Sequence, residues 1–168
     1  MTDIIDNILD TKEDAPANPE RLTLRKSSKL RHRTLVQDLF QKGKSVYSGP
    51  LRITFRALSQ EELEGSFRVR IPDLTGPVQF MITVPKKKRR HAVDRVLMRR
   101  RIREAFRLQW KPLRKQIQED PAIRTLSLGI VYMHTENSDM ESIYAAVGSA
   151  LSKIRKKLYP QPKAEDIC

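Results

Sequence analysis

The stretch from Lys86 to Arg107 constrains this chain most, because it places eleven basic residues within 22 positions, against two acids. A helix over 92–111 would separate basic from apolar side chains on two sides. The basic row is Arg99, Arg103, Arg107 and Lys111, with Arg100 and Arg114 beside it, and the apolar flank is Met98, Ile102, Ala105, Phe106 and Leu113. The flank is therefore predicted to pack on a core while the row faces solvent, and Pro112 should break or kink the helix.

The arginine row indicates a polyanionic partner. Like charges at i, i+4 destabilise a helix by about 0.2–0.5 kcal/mol per pair, so the free protein gains nothing from them. Phosphates offset this repulsion, and guanidinium forks bind them bidentately. The formal net charge of +13 agrees with a nucleic-acid partner. The predicted contacts are Lys86, Lys87, Lys88, Arg89, Arg90, Arg95, Arg99, Arg100, Arg103 and Arg107.

Alternating apolar and polar residues predict three strands before this helix. They are centred on Leu51–Arg56, Phe67–Ile71 and Val78–Val84. The polar sheet face should add Arg52, Arg56, Arg68 and Arg70 to the contacts with phosphate. Glu61, Glu62 and Glu64 are interpreted as a solvated loop between the first two strands.

Helical spacing predicts a first helix over Leu35–Phe40, closed by Gly43, and a last helix over about Asp139–Leu158. A fourth strand is predicted over Leu126–Tyr132. The resulting order, αβββαβα, predicts an α+β two-layer sandwich with a four-stranded sheet. Trp110 and Tyr132 are interpreted as packing residues rather than platforms for bases.

The distribution of charge divides the chain into three regions. Residues 1–20 carry six acids and one base, a net −5, which leaves +18 on residues 21–168. Their apolar residues Ile4, Ile5, Ile8 and Leu9 have the spacing of one helical turn, and Pro16 and Pro19 follow. The region is interpreted as a flexible acidic tail or, alternatively, as a polyanion mimic that shields the basic face. Residues 21–159 are predicted to form one RNA-binding domain, and 160–168 a flexible C-terminal tail.

Several function classes are disfavoured by what the sequence lacks. No apolar run reaches the roughly 20 residues needed to cross a bilayer, and the acidic N-terminus does not resemble a secretion signal. The single cysteine, Cys168, excludes an intrachain disulfide and a cysteine-based metal cluster. The histidines are scattered, and no serine or cysteine has a nucleophile setting. We therefore expect a cytoplasmic binding protein with no catalytic residue and no metal site of its own.

The basic stretch resembles the signature of the bacterial ribonuclease P protein family. Val84–Arg107 reads VPKKKRRHAVDRVLMRRRIREAFR. It matches the family's pattern at Ala92, Val93, Arg95, Arg100, Arg103 and Glu104, with Arg99 in place of a lysine. Leu24, Lys26, Leu30, Arg31 and the run Leu39-Phe40-x-x-Gly43-Lys44 resemble the family's opening helix and turn. Two departures are Arg95-Val96-Leu97, where the family has Arg-Asn-Arg, and Arg90-His91, where it has Gly-Asn.

The resemblance implies a ribonucleoprotein endonuclease that matures the 5′ ends of tRNAs. It implies two partners, the catalytic RNA subunit and precursor tRNA, with hydrolysis carried by the RNA and its Mg²⁺. It implies a cleft for the 5′ leader formed by Val36, Phe40, Arg52 and Thr54, although Phe40 is also interpretable as a core residue. It further implies a mixed sheet with a left-handed, ribosomal-protein-like crossover between the third and fourth strands.

Three alternative functions remain open. A ribosomal or other structural RNA-binding protein shares the basic α+β character, and the signature around Arg95–Glu104 disfavours it. For a DNA-binding protein, seven bases crowd Arg95–Lys111 while Gln109 is the one amide there to read bases, a composition that suits phosphate contact. Membrane-surface binding is disfavoured because the core requires the helix's apolar flank.

Overall fold

The structure is a computed structural model that describes residues 23–72 and 75–161. The predicted acidic tail 1–20 lies outside these residues, as does the predicted C-terminal tail beyond residue 161. A 3-10 turn at Lys26–Ser28 precedes α1 (Arg33–Lys42), β1 (Lys44–Ser48), β2 (Leu51–Leu58), α2 (Gln60–Gly65), β3 (Val78–Thr83), α3 (Ala92–Gln109), α4 (Lys111–Glu119), β4 (Thr125–Tyr132) and α5 (Met140–Leu158).

The four strands form one mixed sheet in the order β1-β2-β4-β3. β2 is antiparallel to both of its neighbours, and β3 is parallel to β4. The predicted α+β class and mixed four-stranded sheet are confirmed. The chain crosses from β3 to β4 through α3 and α4, and the left-handed sense of this crossover stays a prediction.

The predicted strand at Phe67–Ile71 is wrong. The strand that completes the four-stranded sheet is instead β1, which precedes β2 in the chain. Apolar residues in the 67–71 segment pack on a small core beside α1 instead of pairing with a strand, and Val69 is 97% exposed. β1 and β2 are joined by a two-residue turn in which Gly49 has a φ of 50°, a left-handed conformation that favours glycine. The alternation at 67–71 therefore reflects packing under a loop.

The predicted acidic loop after β2 contains a short helix, α2. Its N-cap is Ser59, whose hydroxyl accepts a hydrogen bond from the Glu62 backbone N–H, at 3.3 Å. The Glu62 carboxylate in turn accepts from the Ser59 backbone N–H, at 3.1 Å. This reciprocal capping box satisfies two N–H groups at the helix start, and it explains why a carboxylate is placed here.

Two cores lie on opposite faces of the sheet. The main core joins the sheet to α3, α4 and α5 and contains Ile53, Leu128 and Phe106. A smaller core is formed by Leu30, Leu35, Leu39, Leu58 and Leu63 beneath α1 and α2. The two principal layers are thus the sheet and α3–α5, while α1 covers part of the second sheet face and leaves the rest open.

Candidate nucleic-acid interface

The apolar flank of α3 is buried, as its spacing predicts. Met98, Ile102 and Phe106 are all fully buried in the main core. The Phe106 ring lies between Phe80, at a centroid distance of 4.4 Å, and Trp110, at 5.7 Å. This packing fixes the rotation of α3 about its axis, so the opposite side faces solvent. The interpretation of Trp110 as a packing residue is confirmed.

Three arginines lie on the solvent side of α3. Arg100 and Arg103 are exposed and Arg99 is half-buried. Within residues 23–72 and 75–161, none of the three forms a hydrogen bond or an ion pair. Their guanidinium groups are therefore available to an anion. The predicted arrangement, apolar flank inward and arginines outward, is confirmed for this part of the helix.

Arg107 belongs to the same row but already has an acidic neighbour. Its Nε lies 2.9 Å from Oε2 of Glu104, one helical turn earlier. The hydrogen bond from Arg107 lowers the pKa of the Glu104 carboxyl, and the same bond raises the pKa of Arg107. Both groups remain charged at neutral pH. An incoming phosphate therefore competes with a carboxylate at this position, unlike at Arg100 and Arg103.

An open groove of about 580 Å³ runs beside the basic row. It is lined by Thr23, Leu24, Arg100, Arg103, Glu104 and Arg107. Leu24 packs against the main core, so the first described residues of the chain are held against α3. The groove brings three predicted contact residues together and gives a polyanion a channel beside the helix.

The loop before α3 divides its bases between structural and exposed roles. Arg89 forms an ion pair with Asp94 at 3.1 Å and donates to the backbone carbonyl of Thr135. Arg95 donates to the carbonyls of Arg89, at 3.1 Å, and Arg90, at 2.6 Å. These two arginines thus hold the loop in place, although both were predicted as RNA contacts. Among the loop bases, Lys86, Lys87 and Arg90 are exposed and Lys88 is half-buried.

Asp94 anchors this arrangement to the loop that follows β4. Its carboxylate accepts a hydrogen bond from the Asn137 side-chain amide, at 2.9 Å. That bond, followed by the charge and hydrogen bond of Arg89, lowers the pKa of Asp94. Asp94 is therefore ionised at neutral pH, and it partly neutralises the basic stretch at its first turn. The spacing of the sequence gave no signal of the pairing with Asn137, because that residue lies 43 positions further along the chain.

The predicted leader cleft lies on the open part of the second sheet face. The Phe40 ring is seated over Gly129, where an added Cβ would lie 3.0 Å from Phe40 Cζ. Phe40 remains 44% exposed, so its alternative interpretation as a core residue is wrong. Val36 and Arg52 are half-buried, whereas Thr54 is 2% exposed and bonded to the Ser45 hydroxyl at 3.0 Å. Thr54 therefore forms the floor of the cleft rather than a contact surface.

Tyr47 lies on the same sheet face as the predicted leader cleft, and the sequence did not indicate it. It pairs in register with Arg52 across β1 and β2, on the same sheet face, and it is 62% exposed. The sequence reasoning missed it because β1 was not predicted. The cleft thus offers two exposed aromatic rings, Phe40 and Tyr47, together with the arginine at position 52.

The remaining arginines predicted on the polar sheet face lie elsewhere or are paired. Arg56 Nε lies 2.6 Å from Asp38 Oδ2 and its NH2 lies 3.6 Å from Glu62, so it links β2 to α1 and α2. Arg68 and Arg70 are exposed but belong to the 67–71 segment, outside the sheet. The predicted position on the sheet is therefore wrong for Arg68 and Arg70, whereas Arg56 lies in β2 as predicted but is paired with carboxylates. Of the four, Arg52 alone lies in the open cleft.

The described part of the chain holds neither a candidate metal site nor a membrane-spanning helix. No three His, Cys, Asp or Glu residues within 23–72 and 75–161 are placed to hold a metal ion. Over the same residues, no helix combines the length and apolar character required to cross a membrane.

Comparison with known proteins agrees with this geometry. The family model described as Ribonuclease P matches residues 24–155. Two ribonuclease P protein components, from two strains of Porphyromonas gingivalis, are each 28% identical over 137 residues, which cover 82% of this chain and 90% of theirs. The Staphylococcus aureus RNase P protein aligns with a TM-score of 0.50 and 17% identity, covering 76% of this chain and 95% of its own. A mutant of that protein with defective mRNA degradation activity aligns with a TM-score of 0.54 and 18% identity, covering 77% and 90%. At these identities the two structures show a shared fold.

Proposed function

This chain belongs to the ribonuclease P protein family, whose role is tRNA 5′-end maturation, and from that premise we propose how its surfaces divide the work. The outer face of α3 binds the catalytic RNA, and the cleft between α1 and the sheet binds the 5′ leader of precursor tRNA. The observation that carries the proposal is that Arg99, Arg100 and Arg103, which have no partner among the described residues, lie on one side of a helix whose other side is buried. Both ligands are cytoplasmic RNAs, which makes the cytoplasm the proposed compartment.

The α3 face is better suited to bind the phosphate backbone of an RNA than its nucleobases. Guanidinium groups without a protein partner lose no hydrogen bond when they bind an anion, so the full charge-assisted contact is gained. Exposed loop bases at Lys86, Lys87 and Arg90 extend the same surface beyond the N-terminus of α3. Each phosphate contact releases counterions, so binding weakens steeply with salt. Arg89 and Arg95 contribute to RNA binding indirectly, because they hold in place the loop that carries these basic residues.

The leader cleft suits a single strand because its rings can stack on unpaired bases. Stacking on an aromatic side chain is worth about 1–3 kcal/mol per base and tolerates different sequences. Phe40 and Tyr47 supply the rings, and Arg52 stands beside them for a leader phosphate. This separation of surfaces allows one protein to contact catalytic RNA and substrate at once.

In this assignment the protein binds and orients while the RNA subunit, with the Mg²⁺ that it holds, supplies the hydrolytic chemistry. Neutralising phosphates where two RNAs meet lowers their mutual repulsion, so less Mg²⁺ is needed to bring them together. No side chain of the described residues is assigned a proton transfer or a nucleophilic role.

Reconstitution tests the proposal. The full-length chain, added to a bare catalytic RNA at low Mg²⁺, is expected to restore cleavage of precursor tRNA at the mature 5′ end. A structural RNA-binding protein would bind the same RNA without stimulating cleavage. A folded chain that binds but gives no stimulation at any Mg²⁺ concentration would therefore contradict the proposed function.

A further inference from the structure

The solvent face of α3 is apolar in its first half and basic in its second. Val93 is 79% exposed and Val96 39% exposed. At 3.6 residues per turn, both fall within about 80° of Arg100, Arg103 and Arg107 around the helix axis. One continuous strip therefore presents two valines followed by three arginines. A phosphate backbone matches the second part of this strip and leaves the first without a partner.

The apolar half of the strip offers no polar group to an RNA. Val96 and Leu97 carry neither an amide nor a guanidinium group. Leu97 packs partly against the main core, whereas Val96 points its methyl groups into solvent. An exposed β-branched residue does not stabilise a helix, because its side chain loses rotamer freedom there. The pair Val93 and Val96 is thus better explained by a partner with apolar side chains.

The first residues that the structure describes lie beside this strip. Thr23 and Leu24 line the groove with Arg100 and Arg103, and Leu24 is anchored on the core. The preceding residues of the sequence are therefore tethered at the basic half of the face. Fourteen positions separate Leu9 from Thr23, and an extended tether of that length spans up to about 46 Å. The 18 residues of α3 rise about 27 Å, so every point of the strip is within reach.

The first residues of the chain have the complementary pattern. Ile4, Ile5, Ile8 and Leu9 recur at the spacing of one helical face. Acids at Asp3, Asp6, Asp10, Glu13 and Asp14 are interleaved with them and follow them. Apolar residues come first and acids predominate toward the tether. A segment that runs parallel to α3 would thus bring its apolar residues to the valines and its acids to the arginines.

We propose that residues 3–14 bind in cis along the outer face of α3, with their isoleucines on Val93 and Val96 and their carboxylates beside Arg100 and Arg103. The tether raises the local concentration of the segment to the millimolar range, so weak contacts suffice to populate this state. That RNA displaces the segment rests on the interface proposed above, whereas the docking itself does not. The segment would then suppress weak, nonspecific RNA contacts, and a long cognate polyanion with more phosphates would outcompete it.

Paramagnetic broadening in the full-length chain tests the docking directly. A nitroxide is attached to the cysteine of an Asn7→Cys chain that also carries Cys168→Ser. The methyl signals of Val93 and Val96 are expected to broaden, while that of Val69, which is 97% exposed and lies outside α3, serves as the control. A chain with Val93→Ser and Val96→Ser lacks both valine signals, so the methyl signals of the neighbouring Leu97 are followed instead. Labelled in the same way, this variant should not show the broadening at Leu97 that the parent chain shows. Unbroadened valine signals in a folded chain would overturn the proposal.

Neutralising the segment tests its competition with RNA. Asp10→Asn, Glu13→Gln and Asp14→Asn together should raise affinity for the bare catalytic RNA about five-fold or more at low salt. A matched control, Glu61→Gln, Glu64→Gln and Glu141→Gln, neutralises three exposed acids elsewhere and should raise affinity less. If both variants gain the same RNA affinity, the effect is due to net charge, and the proposed competition between the segment and RNA is wrong. If RNA binds while the nitroxide still broadens Val93, then the RNA occupies another surface, and the interface on α3 is wrong although the docking stands.

Discussion

Removing two unpaired arginines is the most direct test of the α3 interface. The variant Arg100→Ala with Arg103→Ala lowers the formal net charge from +13 to +11. Neither side chain has a protein partner within residues 23–72 and 75–161, so its loss leaves no group unsatisfied. Substitutions of this kind change the free energy of unfolding by at most about 0.5 kcal/mol. An effect on RNA binding would therefore not arise from unfolding.

The expected size of the effect follows from the number of phosphate contacts. Each lost contact flattens the slope of log K against log salt by about 0.7 for single strands to about 0.9 for duplex. Two contacts therefore change the slope by about 1.4–1.8. Charge-assisted hydrogen bonds contribute roughly 1.5 kcal/mol each at the lower end, so the Kd for the catalytic RNA should weaken about 100-fold.

The assay is a salt titration of RNA binding with a control of equal charge. Lys115→Ala with Lys156→Ala also gives +11, but removes exposed lysines of α4 and α5. This control should keep most of the wild-type slope, because its charges lie outside the basic row. If both double variants lose the same slope and affinity, binding depends on net charge alone, and the assignment of the α3 face is wrong.

Three further predictions concern the cleft, the loop before α3 and the cap of α2. Phe40→Ala should weaken binding of leader-bearing precursor tRNA by about 1–3 kcal/mol. Binding of leaderless tRNA, measured in parallel, should not change, and an equal loss for both RNAs would show that Phe40 does not contact the leader. Because the pKa of Asp94 is lowered from 3.8, its stabilising contribution is present above that pH and is lost as the pH falls through the folded value. Asp94→Asn should therefore reduce the acid-induced drop in Tm, and an unchanged acid profile would contradict this. Ser59→Ala should cost about 1 kcal/mol in urea denaturation by removing the capping box of α2, and an unchanged midpoint would show that the cap contributes nothing.

Local periodicity explains which parts of the fold were predictable. The two sides of α3 differ within a few turns of one helix, so residues such as Met98 and Arg103 could be assigned before any tertiary contact was known. Spacing also identified α1, α5 and three of the four strands, because the apolar residues of each recur at the period of that element.

The strand β1 could not be predicted, because its evidence lies in its neighbours. Val46 is its one buried apolar residue, and its outward carbonyls are covered by α5. Lys153 donates to the Tyr47 carbonyl, at 2.7 Å, and Lys157 donates to that of Ser45, at 3.3 Å. Such lysines protect an edge strand from further pairing, but they come from more than 100 positions away.

By itself, the sequence determined the charge of this protein, its α+β class and the helix that presents arginines to solvent. These properties depend on residue type and on spacing within one element. The tertiary structure decided which arginines are paired: Arg56 and Arg89 are held by carboxylates, whereas Arg100 and Arg103 face solvent. It also decided that the Phe40 ring lies over Gly129 and remains partly exposed. The physical reason is that a charge is available only if no opposite charge lies within a few ångströms, and that distance is set by the folding of remote segments against each other.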